Sequence, residues 1–331
     1  MQSFGVASGI TCAAVALLGC GGDPAPASAM AGAGGSVQAG GQPQGGGGSG
    51  GGAGSSAGGV GQGGAKALDC SGAFAAPVLA MVDEGGVRLG SPTLSPDGLE
   101  LIYSREATDG SAEPIGFRRS TRSSVDEQFP VGTPLTSLDV ACAVDESRSA
   151  DLSADGLRAY IVCYPAEASP VGPGTLHIAE RPSLAGEFTL RPETLEVGPS
   201  AAISTDELTL YTTSDVDIGG YPPRQFRRAS TSEMFGAGSD IPGLENAHLT
   251  APDISPDGLS LYGGLEGVVF AVRPSVDAPF AAPSVLYRNG DPRTALGAPE
   301  LSRDCRTLFY IEQVSLDTGT GINATLMMAR R

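Results

Sequence analysis

The sequence is poor in the residue types on which several protein classes depend. Of its 331 residues only Lys66 is a lysine, two are histidines and none is a tryptophan, while the formal net charge is −17. Because proteins that bind nucleic acids present a basic face to the phosphates, this composition argues against a nucleic-acid partner. After residue 20 no apolar run reaches the 18 residues that a membrane-spanning helix needs, which excludes an integral helical membrane protein.

The common catalytic motifs are absent as well. The chain contains no Gly-x-Ser-x-Gly elbow, no P-loop and no His-Glu-x-x-His sequence. The serine hydrolase, nucleotidase and zinc protease classes therefore lack their residues. We predict no cofactor and no metal, and the sequence favours a protein without catalytic activity.

The amino end is typical of an exported protein. Ile10–Leu18 is an apolar run too short to span a bilayer, and it leads into Leu17-Leu18-Gly19-Cys20. This end resembles a bacterial lipobox, which implies a signal peptide over 1–19 and lipidation of Cys20. An ordinary cleaved signal with an incidental cysteine is the alternative. The sequence departs from the expected pattern in Met1–Phe4, which carries no positive charge. The lipobox resemblance implies an anchor in the outer membrane or at the cell surface, facing the periplasm or the exterior, as the protein's one contact with the membrane.

A glycine-rich segment follows the cysteine. Twenty of the 49 glycines lie in 21–64, together with Ser, Ala and Gln and almost no charge. Such a segment cannot bury enough apolar surface to offset its conformational entropy, so we expect 20–66 to be a disordered tether. The globular part is then 67–331, which is long enough for one sizeable core.

Five copies of one pattern fill this globular part. The segments 92–103, 150–160, 201–211, 252–262 and 299–309 follow the template Pro-x-Leu-Ser-x-Asp-Gly-x-x-Leu-Tyr. A phenylalanine, usually followed by a proline and a short apolar run, recurs in phase with them. In the Ser-x-Asp-Gly turn the Asp caps backbone amides of a hairpin, and the Gly takes a positive φ. These turn positions are Asp97, Asp155, Asp206, Asp257 and Asp304.

The repeat predicts an all-β fold. Four short antiparallel strands per repeat, with Gly- and Pro-rich turns, describe the blade of a β-propeller. The template resembles the WD40-like (PD40) repeat of TolB-type propellers. The chain ends where the other repeats continue into Phe-x-x-Pro, and Phe74–Leu79 supplies that piece at the amino end. We therefore predict a single ring, closed by the N-terminal strand, with five blades; six blades are the alternative.

Four cysteines belong to the globular part. Cys70, Cys142, Cys163 and Cys305 are an even number in an exported protein and predict two disulfides, with three possible pairings. Closure of the ring selects Cys70–Cys305, because Cys70 precedes the closing strand and Cys305 lies in the turn of the blade that this strand completes. Cys142 and Cys163 then share the second blade. Zinc is the alternative, but the chain has no Cys-x-x-Cys motif.

One constellation could bind a ligand. In a propeller the strand before the Ser-x-Asp turn is innermost, and four residues before the turn Asp the repeats carry Thr93, Asp151, Ala202, Asp253 and Glu300. Three carboxylates near one axis could hold a cation or a hydroxyl-rich ligand, or act as the acid and base of a glycosidase. The alternative is that they are paired or hydrated rim residues. Arg122, Arg181, Arg273 and Arg330 are expected to be their surface counterparts.

Three functions are compatible with these features. The favoured interpretation is a membrane-anchored, extracytoplasmic propeller that binds or scaffolds a protein or glycan of the cell envelope. A carbohydrate-active hydrolase that uses the channel carboxylates is the first alternative. A structural envelope lipoprotein without a small ligand is the second.

Overall fold

The computed structural model describes residues 68, 70–81, 87–107, 116–143, 146–165, 173–213, 223–265, 267–288, 294–315 and 322–331. The chain divides into two units, Met1–Gly63 and Gly64–Arg331, and every described residue belongs to the second. The signal peptide over 1–19, Cys20 and the tether over 20–66 are predictions that lie outside the described residues.

The described residues form five four-stranded antiparallel sheets, one for each repeat. The first strand, β1 (Val78–Leu79), belongs to the last sheet. Blade 1 consists of β2 (Val87–Leu94), β3 (Glu100–Ala107), β4 (Gly116–Thr121) and β5 (Thr133–Pro134). A short helix, α1 (Thr136–Asp139), connects it to blade 2, which consists of β6 (Glu146–Leu152), β7 (Arg158–Pro165), β8 (Gly174–Glu180) and β9 (Thr189–Val197).

The remaining three blades repeat this order. Blade 3 consists of β10 (Ala201–Ile203), β11 (Thr209–Thr212), β12 (Arg224–Arg227) and β13 (Ser239–Asp240). Blade 4 consists of β14 (Thr250–Ile254), β15 (Ser260–Leu265), β16 (Gly267–Val272) and β17 (Ser284–Arg288). Blade 5 consists of β18 (Thr294–Leu301), β19 (Thr307–Ser315), β20 (Ile322–Arg330) and, at its outer edge, β1.

The N-terminal strand closes the ring. Val78 pairs with Met328 and Leu79 with Met327, so β1 is the fourth strand of blade 5. The prediction of a five-bladed β-propeller closed in this way is confirmed. Within the described ranges, no helix has the length and apolarity to cross a membrane.

The core is divided among the five seams, by which we mean the contacts between consecutive blades. Five clusters of buried apolar side chains each draw on two neighbouring blades. The seam between blades 2 and 3, for example, buries Tyr160 and Ile178 of blade 2 against Leu210 and Phe226 of blade 3. Because each blade buries its two faces against different neighbours, the blades stabilise one another around the ring.

The repeated turn has the same bonds in every blade. In blade 1 the Ser95 hydroxyl donates to Asp97 Oδ1 (2.6 Å), and the same oxygen accepts from the backbone N–H of Leu99 (3.0 Å). The residue after the Asp is left-handed in all five turns; it is Gly in three of them, but Glu207 in blade 3 (φ 60°) and Cys305 in blade 5 (φ 61°). A non-glycine residue is sterically disfavoured there. Both of these side chains form bonds that offset that cost.

Cys305 gains a disulfide bond. It is bonded to Cys70, with Cα atoms 5.0 Å apart, and Cys142 is bonded to Cys163, with Cα atoms 5.3 Å apart. Both predicted pairings are present. The first joins the segment before β1 to the turn of blade 5, and therefore fixes the closure of the ring covalently.

Of the recurring arginines only Arg330 is the surface partner of a carboxylate that we expected, since it pairs with Asp126. Arg122, Arg181 and Arg273 are at most 9% exposed. Each donates Nε to the carbonyl of the left-handed residue of its own turn and stacks on a phenylalanine seven positions later. Arg228 and Arg331 form the equivalent stacks in blades 3 and 5, on Phe235 and Phe74. In blade 5 the stacked residue is thus Arg331, and not Arg330. These cation–π pairs explain the phased phenylalanines.

Candidate functional site

The channel residues lie at the ends of the innermost strands, where they face the next blade. Three of these strands, in blades 1, 4 and 5, contain a bulge just before the channel residue, with left-handed Ser91, Ala251 and Ala298. A bulge turns the following side chain relative to a regular strand. Thr93, Asp151, Asp253 and Glu300 are buried, with exposed fractions of 0–6%.

Each of these four side chains accepts a hydrogen bond from the backbone of the following blade. We call this set of bonds the belt. The donor is always the residue after the equivalent channel position: Leu94 N–H to Glu300 Oε1 (3.1 Å), Leu152 N–H to Thr93 Oγ1 (3.0 Å), Ile203 N–H to Asp151 Oδ2 (2.7 Å) and Leu301 N–H to Asp253 Oδ2 (2.6 Å). Thr93 Oγ1 also lies 3.1 Å from Asp151 Oδ1 and 3.4 Å from Glu300 Oε1.

One seam lacks the belt bond. The channel residue of blade 3 is Ala202, which has no side-chain acceptor to offer the backbone N–H of Ile254 in blade 4. The belt therefore joins blades 1–2, 2–3, 4–5 and 5–1, but leaves blades 3 and 4 without the equivalent bond.

An arginine lies across the turn end of the channel. Arg303 occupies the variable position of the Ser-x-Asp turn in blade 5, and its Nη2 donates to the backbone carbonyl of Leu152 in blade 2 (2.6 Å). Its positive charge opposes the rise in the pKa of Asp151, Asp253 and Glu300. Arg303 is the one charged residue at this position in the five repeats, and that contrast was the sequence signal for it.

Burial dominates the protonation of the channel acids. Loss of solvation, and then the charge of Asp151, raise the pKa of Asp253 to about 8. Burial, followed by the charges of Asp253 and Asp151, raises the pKa of Glu300 well above its usual value. The pKa of Asp151 is also raised by burial. A carboxyl with the pKa of Asp253 could exchange protons near neutral pH, as acid–base catalysis requires.

The space beside these acids is small. The recess at the other end of the channel, lined by Ser91, Asp151, Ala251 and Glu300 among others, measures about 20 Å³. That volume is close to what one water molecule needs, and a sugar ring is far larger. No group of three or more His, Cys, Asp or Glu side chains in the described part of the chain is arranged to hold a metal ion.

The outer halves of the seams, towards the turns, differ from one another. Between blades 1 and 2, Glu100 accepts from Arg119 (2.7 Å) and Arg181 (2.8 Å). Between blades 2 and 3, Glu207 accepts from Arg158 Nη1 (2.9 Å) and from the Tyr160 hydroxyl (2.6 Å). Glu207 is the non-glycine residue that follows the turn Asp in blade 3, and these two bonds offset the steric cost of its left-handed conformation.

Between blades 3 and 4 the outer half of the seam is open. The position of Arg158 is taken by Thr209 and that of Glu207 by Gly258. A groove of about 540 Å³ lies there, which we call the 3/4 groove, lined by residues that include Ser204, Asp206, Thr209, Arg227, Gly258 and Asp277. A second cavity of about 340 Å³ lies between blades 4 and 5, against Phe74, Tyr262 and Phe270.

Sequence reasoning predicted the channel acids and missed both cavities. The acids stand at one fixed distance from a conserved-looking turn within the repeat, so alignment of the repeats with one another brings them together. The 3/4 groove results from two side chains that are small in one repeat and large in the preceding one, and only the packed seam shows that their absence leaves space.

Comparisons with known proteins support the fold. No protein-family model and no curated protein sequence matches the chain. Among solved structures, the chain is similar to a GH43_1 enzyme from Xanthomonas citri, with a TM-score of 0.55, 12% identity and coverage of 77% of this chain and 89% of that one. It is also similar to an exo-β-1,3-galactanase from Phanerochaete chrysosporium, with a TM-score of 0.51, 10% identity and coverage of 76% and 63%. At these identities the likeness concerns the propeller fold alone.

Proposed function

We propose that this protein is a lipid-anchored, extracytoplasmic β-propeller that binds a protein or glycan of the cell envelope without transforming it. The observation that supports this proposal is the belt. Asp151, Asp253 and Glu300 are engaged by backbone N–H groups of neighbouring blades, and the recess beside them has room for about one water molecule. The channel acids thus act as joints between blades, which leaves the outer surface for a partner.

The experiment is a capture assay with the full chain carrying Cys20→Ala, which prevents lipidation. The immobilised protein is exposed to envelope extract, with and without prior periodate oxidation of glycans. We expect a defined component to be retained above the bare resin, and its sensitivity to periodate separates a glycan from a protein partner. Retention of nothing by the folded chain would contradict the binding function and favour the purely structural lipoprotein.

The role of the channel is tested by an isosteric variant, Asp151→Asn/Asp253→Asn/Glu300→Gln. Each new side chain keeps an acceptor oxygen for its belt bond. We expect capture to be unchanged, because the partner does not reach the channel. Loss of capture by a variant that still folds would place the partner at the channel instead.

The second candidate function is carbohydrate hydrolysis. It is favoured by three carboxyls with raised pKa around the axis of a five-bladed propeller whose fold is shared with glycoside hydrolases. Incubation of the protein with aryl β-xylosides, α-arabinosides and β-galactosides decides the matter. We expect no turnover above buffer; turnover that disappears in Glu300→Gln would establish the enzyme.

The cellular location, export followed by lipid anchoring, is a separate part of the proposal. It depends on the lipobox resemblance at 17–20 and on the tether-like composition of 20–66. Mass spectrometry of the mature amino terminus should find a diacylated Cys20, and Cys20→Ala should release the protein from the membrane fraction. A mature terminus at another residue, without lipid, would mean that the protein is exported but not lipid-anchored.

The resemblance of the repeat to that of TolB-type propellers rests on the five turn motifs.

A further inference from the structure

We propose that the 3/4 groove is a binding site for a neutral saccharide. This inference rests on the proposed binding function and gives it a place and a ligand class. The groove has a volume of about 540 Å³, within the range of small-molecule sites. It lies at the one seam where the belt bond is also missing, since Ala202 replaces the acceptor.

The ring itself shows how the same space is closed elsewhere. Between blades 2 and 3, the space is filled by Arg158 and Glu207, which form an ion pair. Between blades 5 and 1, the equivalent positions are Thr307 and Gly98, as small as Thr209 and Gly258, but Arg330 reaches over them to Asp126 (2.7 Å).

The 3/4 groove has the residues that are equivalent to Arg330 and Asp126, but they do not form the ion pair. Arg227 stands at the position of Arg330, directly opposite Thr209 in the sheet, and Asp277 stands at the position of Asp126. Both are exposed, and among the described residues no ion pair engages either of them; Arg227 Nη2 donates to Gln225 Oε1 at 3.4 Å. A guanidinium and a carboxylate therefore flank an open groove in which neither neutralises the other.

The groove's chemistry selects the ligand class. Its surface offers the Asp277 carboxylate, the Arg227 guanidinium and the Thr209 hydroxyl. Asp206 and Asp257 add their second carboxylate oxygens, since Oδ1 of each caps its own turn. The three carboxylates are balanced by the guanidiniums of Arg227, Arg228 and Arg273, so the groove favours neither an anionic nor a cationic guest. A sugar hydroxyl donates one hydrogen bond and accepts others, so adjacent hydroxyls of one ring can satisfy Arg227 and Asp277 together. Val276 and Pro256 provide apolar surface for the carbon face of the ring.

Affinity electrophoresis of the full chain with Cys20→Ala tests the site. Native gels contain arabinoxylan, arabinogalactan, β-1,3-glucan or mannan, and mobility is compared with a gel that holds no polysaccharide. The decisive variant is Thr209→Arg/Gly258→Glu, which builds the Arg158–Glu207 pair of the preceding seam into the groove. Its net charge is unchanged, and the left-handed position tolerates Glu, as Glu207 shows. We expect at least one polysaccharide to retard the wild type, and the variant to lose at least tenfold in affinity.

A matched control uses the seam that is already closed. Thr307→Arg/Gly98→Glu makes the same substitutions at the equivalent positions between blades 5 and 1, and should be retarded like the wild type. If Thr209→Arg/Gly258→Glu fails to fold, Arg227→Ala/Asp277→Ala gives the answer, with Arg330→Ala/Asp126→Ala as its control. Both of these pairs also conserve net charge. We expect the first pair to weaken binding at least tenfold, and the second to leave it unchanged.

The outcomes separate this inference from the binding function. The saccharide site is overturned if no polysaccharide retards the wild type, or if the groove variants are retarded as strongly as the wild type. If the envelope capture assay still retains a partner in either case, the binding function stands and the ligand class or its location is wrong. If the wild type neither binds polysaccharide nor captures an envelope component, both proposals fail.

Discussion

The inner and outer halves of the seams follow different rules. Near the channel, four of the five seams use one device, a side chain of one blade that accepts a backbone N–H of the next. Near the turns, an acid shared by two arginines, a Glu–Arg–Tyr network, an exposed ion pair and an open groove occupy equivalent places. The inner half repeats because it holds the ring together, while the outer half is free to differ and can therefore specialise.

The largest expected effect concerns the covalent closure in the outer half between blades 4 and 5. Cys70→Ala/Cys305→Ala opens a loop of 235 residues, whereas Cys142→Ala/Cys163→Ala opens one of 21. Because the entropy of an opened loop grows with its length, we expect losses in the free energy of unfolding of about 5 kcal/mol and about 3 kcal/mol, respectively. Denaturant unfolding measures both. A smaller effect for the first pair would mean that the belt closes the ring without help.

The second effect concerns the inner half and appears as a pH dependence. The pKa of Asp253 is about 8 in the folded protein, and an unfolded chain returns it to its ordinary value. A raised carboxyl pKa contributes stability that is full at pH 4 and below, and is lost as the pH rises through about 8. We expect Asp253 to cost the wild type about 4 kcal/mol between pH 5 and pH 9, beyond what its other groups contribute.

The control is Asp253→Asn, which keeps the acceptor for Leu301 N–H and removes the titration. Unfolding of both proteins is followed across this pH range, and the difference between the two curves reports Asp253 together with its effect on the pKa of Glu300. Parallel curves would show that this carboxyl is not strained by burial in the belt.

The third effect opens the outer half between blades 2 and 3. Glu207→Gly removes the bonds to Arg158 and Tyr160 but relieves a left-handed non-glycine residue. Loss of these two charge-assisted, partly buried bonds costs about 3 kcal/mol and the relief returns about 1, so we expect a net loss of about 2 kcal/mol. Gly258→Glu at the open seam adds the left-handed cost and gains no partner, so it should destabilise the protein by about 1 kcal/mol. Equal effects in thermal melts would show that the two seams do not differ as we describe.

The smallest effect adds the missing belt bond. Ala202→Ser places a hydroxyl at the position equivalent to Thr93, and a new bond from the backbone N–H of Ile254 should stabilise the protein by about 1 kcal/mol. Ala201→Ser, one residue earlier on the same strand, should bring no gain. Chemical denaturation distinguishes the two, and a destabilised Ala202→Ser would indicate that this seam has no space for the belt bond.

The sequence specified much of the fold because the information lies in a repeat. Five in-phase turns gave the blade count, the unmatched Phe74–Leu79 segment gave the closure, and closure gave the cysteine pairing. Individual side chains were harder to place. Arg228 and Arg331 stack like their counterparts, yet only the distance of seven residues to the next phenylalanine marks Arg228, and Arg331 pairs with Phe74 at the other end of the chain. The raised pKa of the channel acids depends on burial, which no pattern of residues records.

The direction of the belt bonds has a consequence for how the ring tolerates change. Every bond runs from the backbone of one blade to the side chain of the blade before it, so the propeller is built like a cyclic oligomer with head-to-tail interfaces, fused into one chain. A closed ring of this kind fixes the angle at each interface through the other four. The interface between blades 3 and 4 can therefore keep its geometry without a belt bond and without a side-chain pair like Arg158–Glu207, because the other four interfaces fix the angle between these two blades.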